Sequence, residues 1–349
     1  FTINNCFHGI YFNNTDSSTI YNVTANSCGN LSGAGIYFNN NSCSNAILNC
    51  YLIQNVYGVY LNSSSNANII NNNFASRNSQ YGIFLYSSDN NILNSNRSYN
   101  NNAQGFVLVY SNFNILTNNR SFYNYSIGYD LSLSNNNKLM NNISSNNTSF
   151  GLAINNSHNN YYAQNTIDSN TNYGFYLAGT STSDTFENNN WIPSPANPNY
   201  AVTNGCDTYL DLRNNYWLST DSSVIANKMK GTYANKIRWQ PYRFTFADTA
   251  EGADTIAPST PNITGFDTSV VGQITVKWDS PAYSGAGAQG LTGFHIFRAK
   301  ANQLTNGDTG NWYLYLVKTV SANETSWVDN TIDSKTMYYY RVTAFDSHI

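Results

Sequence analysis

The sequence predicts an all-β chain in which a solenoid of stacked parallel strands is followed by a small β-sandwich. Three observations predict it: glycines recur at a nearly fixed interval, each glycine opens a short apolar run, and a different alternating pattern returns near the end of the chain. The intervals between successive glycines are 26, 23, 24 and then four times 23 residues. These glycines are Gly9, Gly35, Gly58, Gly82, Gly105, Gly128, Gly151 and Gly174.

Each repeat is expected to form one coil of the solenoid. A repeat of 23 residues is too short for two helices, and its apolar residues alternate with the period of a strand. The residues one and three places after each glycine, such as Ile36 and Phe38, are apolar in every repeat and should point inward. A second strand is predicted at a later apolar column, formed by Ile69, Ile92, Ile115 and Leu139.

Asparagines form two further columns, which we interpret as ladders at the turns. Asparagine tolerates left-handed backbone, and its side-chain amide can bond to the same amide in the coils above and below. The ladders need no functional role. The first column is Asn73, Asn96, Asn119, Asn142 and Asn165, and the second is Asn78, Asn100, Asn124, Asn147 and Asn170.

The repeat has the form Gly-Ile-Tyr-Leu, then Ser-Asn-x-x-Asn-Ile, then Asn-Asn-x-x-x-x-Asn. This pattern resembles that of right-handed parallel β-helix proteins, the pectate-lyase-like superfamily with its carbohydrate-binding and sugar-hydrolysis repeats. The resemblance implies a right-handed single-stranded parallel β-helix of about eight coils over residues 1–190. The superfamily includes lyases, hydrolases, epimerases, phage tailspikes and non-catalytic surface proteins, so the fold alone does not choose an activity.

Three further segments follow the repeats. Residues 191–246 interrupt the repeat with prolines and a short helical pattern, and they are predicted to close the β-helix. Residues 247–259 are predicted to be a linker. Residues 260–349 resemble a fibronectin type III domain through the alternating runs 273–278, 293–298 and 337–344, with Trp278 as the candidate buried tryptophan. The chain stops where that fold needs one more strand. Either the chain continues or a neighbour supplies the missing edge.

Charge and cysteine usage exclude several classes of protein. The 16 basic and 19 acidic residues give a net charge of −3 without a basic stripe, which argues against nucleic acid as a partner. No apolar stretch reaches the ~20 residues of a membrane-spanning helix. The 5 cysteines contain no metal-binding spacing, and no cofactor is predicted. Cys6 and Cys28 lie about one coil apart and are either a disulfide or a pair of buried free thiols.

We find no paired carboxylates of the kind that sugar cleavage uses. The acidic residues of the repeats are Asp16, Asp89, Asp130, Asp168, Asp184 and Glu187, and none stacks over another. Arg97 and Arg120 lie one coil apart, and are either a contact for an anionic sugar or two solvated arginines. The sequence therefore predicts no catalytic residues, and a polysaccharide lyase or hydrolase is the minority reading.

The residue two places after each glycine should face outward. In the first four coils this position is Tyr11, Tyr37, Tyr60 and Phe84, which we expect to form a flat, exposed aromatic stripe. The stripe could stack sugar rings or be buried against another subunit. Alternatively, tyrosine simply suits an exposed strand.

The pattern Asn-x-Ser/Thr permits N-glycosylation without proving it, since chance alone would give about as many matches in so asparagine-rich a chain. The matches are Asn13, Asn22, Asn30, Asn40, Asn62, Asn96, Asn119, Asn124, Asn142, Asn146, Asn147, Asn155, Asn262 and Asn323.

These observations favour a non-catalytic extracellular or cell-surface structural protein. In this hypothesis the β-helix rod and the fibronectin type III module assemble a surface layer, sheath, filament or adhesin, through self-association or contact with other surface proteins and with glycans. The alternative is a carbohydrate-binding or polysaccharide-degrading β-helix protein.

Overall fold

The computed structural model describes residues 1–29, 32–198, 200–246, 260–280, 291–300, 316–333 and 335–346. The predicted linker 247–259 and the sequon at position 30 lie outside them. The chain divides into two compact units, Phe1–Trp239 and Gln240–Ile349. The first is a parallel β-solenoid of about ten turns, and the second contains small antiparallel sheets.

Each coil of the solenoid contributes one strand in turn to three parallel sheets, which we call A, B and C. The strands of sheet A are Thr2–Asn4, Thr24–Asn26, Tyr51–Ile53, Phe74–Ser76, Arg97–Tyr99, Arg120–Phe122, Ile143–Ser145, Thr166–Asp168 and Asn190–Ile192. Those of sheet B are Ile10–Asn13, Ala34–Asn39, Tyr57–Leu61, Ile83–Tyr86, Phe106–Val109, Tyr129–Ser132, Leu152–Asn155, Phe175–Ala178, Val202–Asn204 and Met229–Lys230. Those of sheet C are Thr19–Tyr21, Ala46–Leu48, Ile69–Asn71, Ile92–Asn94, Ile115–Thr117, Lys138–Met140, Tyr161–Ala163 and Thr185–Glu187.

The core lies between the three sheets. The inward residues of sheet B, such as Ile36 and Phe38, are fully buried, which confirms their prediction. The second predicted strand is sheet C, but its apolar column was misaligned. Ile69 and Ile92 face outward and are 44% and 42% exposed, because the buried residue of each strand is the next one along the chain. Only Leu139 of the predicted column points inward, and its true partners are Ile70, Leu93 and Leu116.

Sheet A was not predicted as a strand. Its inward positions in the middle coils are serines, namely Ser98, Ser121 and Ser144, so the segment lacks the apolar signal of a buried strand. Each serine hydroxyl donates a hydrogen bond of 2.8–2.9 Å to a glycine carbonyl of the following coil. The buried hydroxyls are thereby satisfied within the core.

Asparagine ladders fill three inward corners of the solenoid, one more than predicted. Asn119 is typical: its backbone N–H and its Nδ2 donate to Oδ1 of Asn142 at 2.9 and 3.0 Å, and its Nδ2 also donates to the carbonyl of Leu93 at 2.9 Å. The left-handed residue is the one before, Asn118. For this reason Asn100 is not part of its predicted column: it has φ of 53°, and Asn101 occupies the ladder. The unpredicted ladder is Asn45, Asn68, Asn91, Asn114, Asn137 and Asn160.

The segment 191–246, predicted as a cap, still contributes to the solenoid. Sheets A and B continue into it, whereas sheet C ends at Thr185–Glu187. Two short strands, Leu210–Asp211 and Ile237–Arg238, pair separately, and the segment also holds the α-helix Ser222–Ala226 and the 3-10 helix Ala234–Lys236. Sheets A and B therefore run past the predicted limit at residue 190.

The second unit contains two three-stranded antiparallel sheets around a small core. Trp278 is buried there, as predicted, against Phe294, with ring centroids 5.5 Å apart. The core cluster also includes Val276, Ile296, Val320 and Val342. The strands of one sheet are Ile263–Asp267, Ile274–Trp278 and Ser326–Asp329, and those of the other are Leu316–Ser321, Leu291–Lys300 and Tyr338–Asp346.

Candidate functional site

The outer face of sheet B carries the aromatic stripe, Tyr11, Tyr37, Tyr60 and Phe84. Because parallel strands lie ~4.8 Å apart, equivalent rings in successive coils meet at stacking distance. Ring centroids are 5.3, 4.8 and 4.8 Å apart along the stripe, with interplanar angles of 30°, 10° and 7°. The four predicted residues therefore form one continuous stack.

The stack is not the flat, exposed platform that the sequence suggested. Each inner ring has both faces against its neighbours, so its edge is turned to solvent. Tyr11 is 48% exposed, but the other three are only partly exposed. Burial raises the pKa of Tyr60, which reflects how far its hydroxyl is withdrawn from water. The rings at the two ends also have aromatic neighbours outside the stripe: His8 stacks on Tyr11 with ring centroids 5.4 Å apart, and Tyr81 packs against Phe84.

Hydroxyl and amide groups line one side of the stripe. Nδ2 of Asn39 donates to the hydroxyl of Tyr11 at 3.3 Å, and Nδ2 of Asn62 donates to the hydroxyl of Tyr37 at 3.1 Å. On the other side, Tyr57 and Tyr81 precede the glycines of their coils and pack against the stripe, with Tyr81 meeting Phe84 edge-on at 5.1 Å. The face thus combines apolar ring surface with hydrogen-bonding edges.

The stripe ends abruptly above Phe84. In the next three coils the outward position is Val107, Asp130 and Ala153. Val107 and Ala153 are themselves 3% and 4% exposed. Asp130 is the only carboxylate among the outward residues of the described strands of sheet B.

Asp130 is partly buried and has only neutral hydrogen-bond partners. Its Oδ2 accepts from Nε2 of Gln104 at 3.2 Å, and its Oδ1 accepts from the hydroxyl of Ser132 at 3.5 Å. Burial raises the pKa of Asp130, opposed by these two hydrogen bonds. Burial, together with the charge of Asp130, also raises the pKa of Tyr81. The Asp130 carboxylate can therefore accept further hydrogen bonds, and no cation among the described residues neutralises its charge.

A second aromatic cluster lies beyond Asp130. Phe150 stacks on Tyr176 with centroids 4.8 Å apart and an interplanar angle of 18°, and Tyr173 packs against Tyr200 at 4.9 Å. Phe84 and Phe150 belong to coils three strand spacings apart, about 14 Å along the solenoid. We call the segment between them, which contains Val107, Asp130 and Ala153, the Asp130 gap. It has an aromatic ring at each end and a carboxylate in the middle.

The sequence places Asp130 two residues after Gly128, at an outward position of the repeat, but it offers no second acid stacked with Asp130. Its environment depends on Gln104 and Tyr81, which sit one residue before their glycines and whose orientation the repeat pattern did not reveal.

A separate cleft of about 320 Å³ lies at the end of sheet C, lined by Asp184, Glu187, Asp211 and Arg213 among others. Its outer carboxylates are already engaged: Glu187 accepts from the hydroxyl of Tyr161 at 3.0 Å, and Asp211 pairs with Arg213 at 2.6 Å. In the described part of the chain, no group of three or more His, Cys, Asp and Glu side chains is arranged to hold a metal ion.

The other predicted sites are distributed as follows. Arg97 and Arg120 are direct neighbours on the outer face of sheet A, in strands rather than in a turn. Cys6 and Cys28 are joined by a disulfide, with Cα atoms 4.6 Å apart. Cys50 and Cys206 are buried free thiols, and Cys43 is free and partly exposed.

Burial separates the sequons into two classes. Those in the asparagine ladders have amide groups that are buried and hydrogen-bonded to neighbouring coils, and they are Asn96, Asn119, Asn124, Asn142 and Asn147. Sequons that remain at the surface are Asn13, Asn22, Asn40, Asn62, Asn146, Asn155, Asn262 and Asn323.

Several solved structures share the parallel β-helix fold. The periplasmic alginate epimerase AlgG is 18% identical with a TM-score of 0.45, and the match covers 64% of this chain and 49% of that protein. The A-module of the Azotobacter vinelandii mannuronan C-5 epimerase AlgE4 is 17% identical with a TM-score of 0.46, covering 59% of this chain and 71% of that one. The Dettilon tailspike protein is 16% identical with a TM-score of 0.49, covering 93% and 73%. The chain thus spans about half the length of AlgG.

The prediction of a non-catalytic structural protein is wrong on this comparison, as is the prediction that the chain is not an enzyme. The similar structures are of alginate and mannuronan epimerases, a pectate lyase and a tailspike. At these identities they share the fold alone with this chain.

A search of curated protein sequences returned no match. No helix among the described residues is long and apolar enough to cross a bilayer. One family model matches the sequence, described as the right handed beta helix region, over residues 47–191. Those residues span the Asp130 gap and most of sheets A, B and C, so this part of the chain is a right-handed parallel β-helix.

Proposed function

We propose that the outer face of sheet B binds a polysaccharide, with the sugar residues lying across the Asp130 gap between Phe84 and Phe150. The proposal takes the alternative reading of the sequence and assigns it to named residues. The glycan would run along the solenoid, in contact with the aromatic ends of the gap and with the hydroxyl and amide groups beside them.

The hydrogen bonding of Asp130 carries the proposal. A partly buried carboxylate needs several donors to offset its desolvation, and Asp130 has one donor at 3.2 Å and a weaker one at 3.5 Å. Sugar hydroxyls are neutral donors of the required kind, and a carboxylate can accept from several of them. The absence of an ion pair to Asp130 among the described residues leaves those acceptor sites open to a ligand.

The aromatic rings at the ends of the gap support the same function. Phe84 closes the lower stack, so the ring face that it turns toward the gap is not covered by another ring of the stripe. Apolar ring surface beside a few convergent polar groups is the usual composition of a ligand site. The inner rings of the stripe, with their faces already covered, would contribute edges and hydroxyl groups instead.

We further propose that Asp130 can transfer a proton to or from the bound sugar. A carboxyl group whose pKa is raised from its usual range is better matched to acid–base work near neutral pH. Hydrolysis by a carboxylate pair is less favoured, because sheet B presents no second carboxylate in its described strands. The reaction class best suited to one such group is proton transfer at a sugar carbon or oxygen.

We propose an extracellular or periplasmic location for the protein, which suits a polysaccharide ligand, the Cys6–Cys28 disulfide and the surface sequons.

We also propose that the C-terminal unit is a fibronectin type III-like module. Two three-stranded antiparallel sheets around Trp278 support this assignment.

Binding of the full chain to a panel of neutral and acidic polysaccharides tests the function, with turnover measured on every polysaccharide that binds. Asp130→Asn should weaken binding about 10- to 100-fold, because a hydrogen bond to a charged group contributes ~1.5–3 kcal/mol. The matched control is Asp168→Asn, which removes a carboxylate from sheet A. Failure of every polysaccharide to bind, or equal binding by both variants, would overturn the proposal.

A further inference from the structure

We infer a second ligand site on the outer face of sheet A, where Arg97 and Arg120 bind the carboxylate or sulfate group of an anionic saccharide. The site consists of these two arginines with Phe74, Tyr99 and Phe122. It lies on a different sheet from the Asp130 gap and does not depend on the function proposed there.

The two guanidinium groups carry adjacent positive charges with no carboxylate partner in an ion pair among the described residues. Arg97 and Arg120 are direct partners in adjacent parallel strands, ~4.8 Å apart, and both are exposed. Like charges facing each other across strands are destabilising. Neither arginine takes part in any of the three ion pairs of the described residues, and the outward positions of the strands on either side, Phe74–Ser76 and Ile143–Ser145, hold no carboxylate. An anion bound between the two groups would remove the repulsion.

Arg97 is held in place by an aromatic stack. Its Cζ lies 5.2 Å from the ring centroid of Phe74, which stacks in turn on Tyr51 with centroids 4.9 Å apart. A guanidinium group lying on a ring is oriented by it while its N–H edge stays available for a planar anion. Arg97 is therefore positioned before any ligand arrives, which lowers the entropic cost of binding.

A second pair of rings lies beside the arginines. Tyr99 and Phe122 are two residues further along the same strands and face the same way, stacked at 5.1 Å with an interplanar angle of 3°. The face thus presents two cations next to two partly exposed rings. A ligand with an acidic group attached to a ring-sized apolar body fits this arrangement, and an acidic sugar residue has both parts.

The small number of cations favours a saccharide over a nucleic acid. Sequence-independent binding of nucleic acid depends on neutralising several phosphates along a basic groove. Sheet A offers two adjacent cations in a chain with 16 basic residues and a net charge of −3. Two forked guanidinium groups suit a single carboxylate or sulfate, which they can grip with paired hydrogen bonds.

Binding of the full chain to four probes tests the inference: a carboxylated hexasaccharide, a sulfated hexasaccharide, a neutral hexasaccharide and single-stranded oligo-dT. The double variant Arg97→Gln/Arg120→Gln should weaken binding of the anionic sugar about tenfold at ~50 mM salt, and the difference should shrink at ~500 mM salt. Arg77→Gln is the control, since it removes an exposed arginine at the adjoining turn. The tighter of the two anionic probes identifies the acidic group.

The conservative variant Arg97→Lys separates geometry from charge. It should retain only part of the affinity, because lysine cannot form the planar fork. The inference is overturned if neither anionic hexasaccharide binds, if Arg77→Gln weakens binding as much as the double variant, or if oligo-dT binds as tightly as the sugars. Neutral hexasaccharide binding should be unchanged in the double variant, which keeps this result separate from that for the Asp130 gap.

Discussion

Asp184 occupies a position that asparagine holds in the six coils before it. Its Oδ1 accepts from the backbone N–H and the Nδ2 of Asn160 at 2.8 and 3.1 Å, as an asparagine oxygen would. Its Oδ2 is buried and has no hydrogen-bond partner, and the same is true of the hydroxyl of Tyr162. Burial raises the pKa of Asp184 to about 7, so the carboxyl group is largely protonated in mildly acidic solution. The charged form is the destabilised one.

Asp184→Asn is expected to stabilise the solenoid at pH 8 by roughly 2–4 kcal/mol, because one unit of pKa corresponds to ~1.4 kcal/mol. The pKa of Asp184 is higher in the folded chain than its ordinary value of 3.8, so the folded state binds more protons and stability falls as pH rises from about 4 to about 7. Thermal unfolding at both ends of that range measures the effect.

Below pH 4 the charge is absent in both states, and the stabilising effect should disappear. Asp168→Asn, on the outer face of sheet A, is the control for the loss of a carboxylate elsewhere on the solenoid. An equal gain at pH 3 and pH 8 would mean that the benefit comes from packing and not from the removed charge.

The glycine column determines how closely the coils approach at the start of sheet B. A Cβ atom on Gly105 would lie 2.0 Å from the hydroxyl oxygen of Ser121 and 2.7 Å from the carbonyl oxygen of Gly128. The serine is itself bonded to that carbonyl, so it has little room to move. The recurring glycine is therefore required by contact between coils, not by a left-handed backbone.

Gly105→Ala is expected to destabilise the solenoid by about 3 kcal/mol, in the range of overpacked cores. Gly265→Ala is the control, because a Cβ atom there meets nothing within 4 Å. Chemical denaturation of the two variants measures the difference. Equal stability of Gly105→Ala and the parent chain would show that neighbouring coils can shift to admit a methyl group.

Sheets A and C show what an apolar pattern can and cannot predict. The strict alternation of apolar residues around each glycine predicts the strands of sheet B. The apolar column at Ile69 predicts sheet C, although the buried residue of that strand is the next one along the chain. Sheet A was missed because Ser98 and its equivalents satisfy their hydroxyls inside the core, which no hydrophobicity pattern signals. Likewise, sequence spacing alone did not separate Asn100 from the buried Asn101.

At the scale of the molecule, the repeat period determines the solenoid, and departures from the repeat mark the candidate sites. The outward position of sheet B changes from ring to non-aromatic side chains at Val107, Asp130 and Ala153, and again at Thr203 beyond Tyr176. Sheet A changes from ring to arginine at Arg97. The columns themselves could be read from the sequence. Their surroundings could not, since the partial burial of Asp130 depends on side chains contributed by neighbouring coils.

Hydroxyl-radical footprinting of the full chain with and without a bound oligosaccharide tests the central claim most directly, because it maps the glycan onto individual side chains. The account predicts loss of reactivity around the Asp130 gap at Tyr81, at Tyr176 and at Tyr86, whose ring centroid lies 6.1 Å from that of Phe84. Tyr21 on sheet C and Tyr209 near the end of the solenoid, which are 62% and 67% exposed, should be unchanged. Protection of Tyr21 or Tyr209, with the residues around Asp130 left reactive, would contradict it.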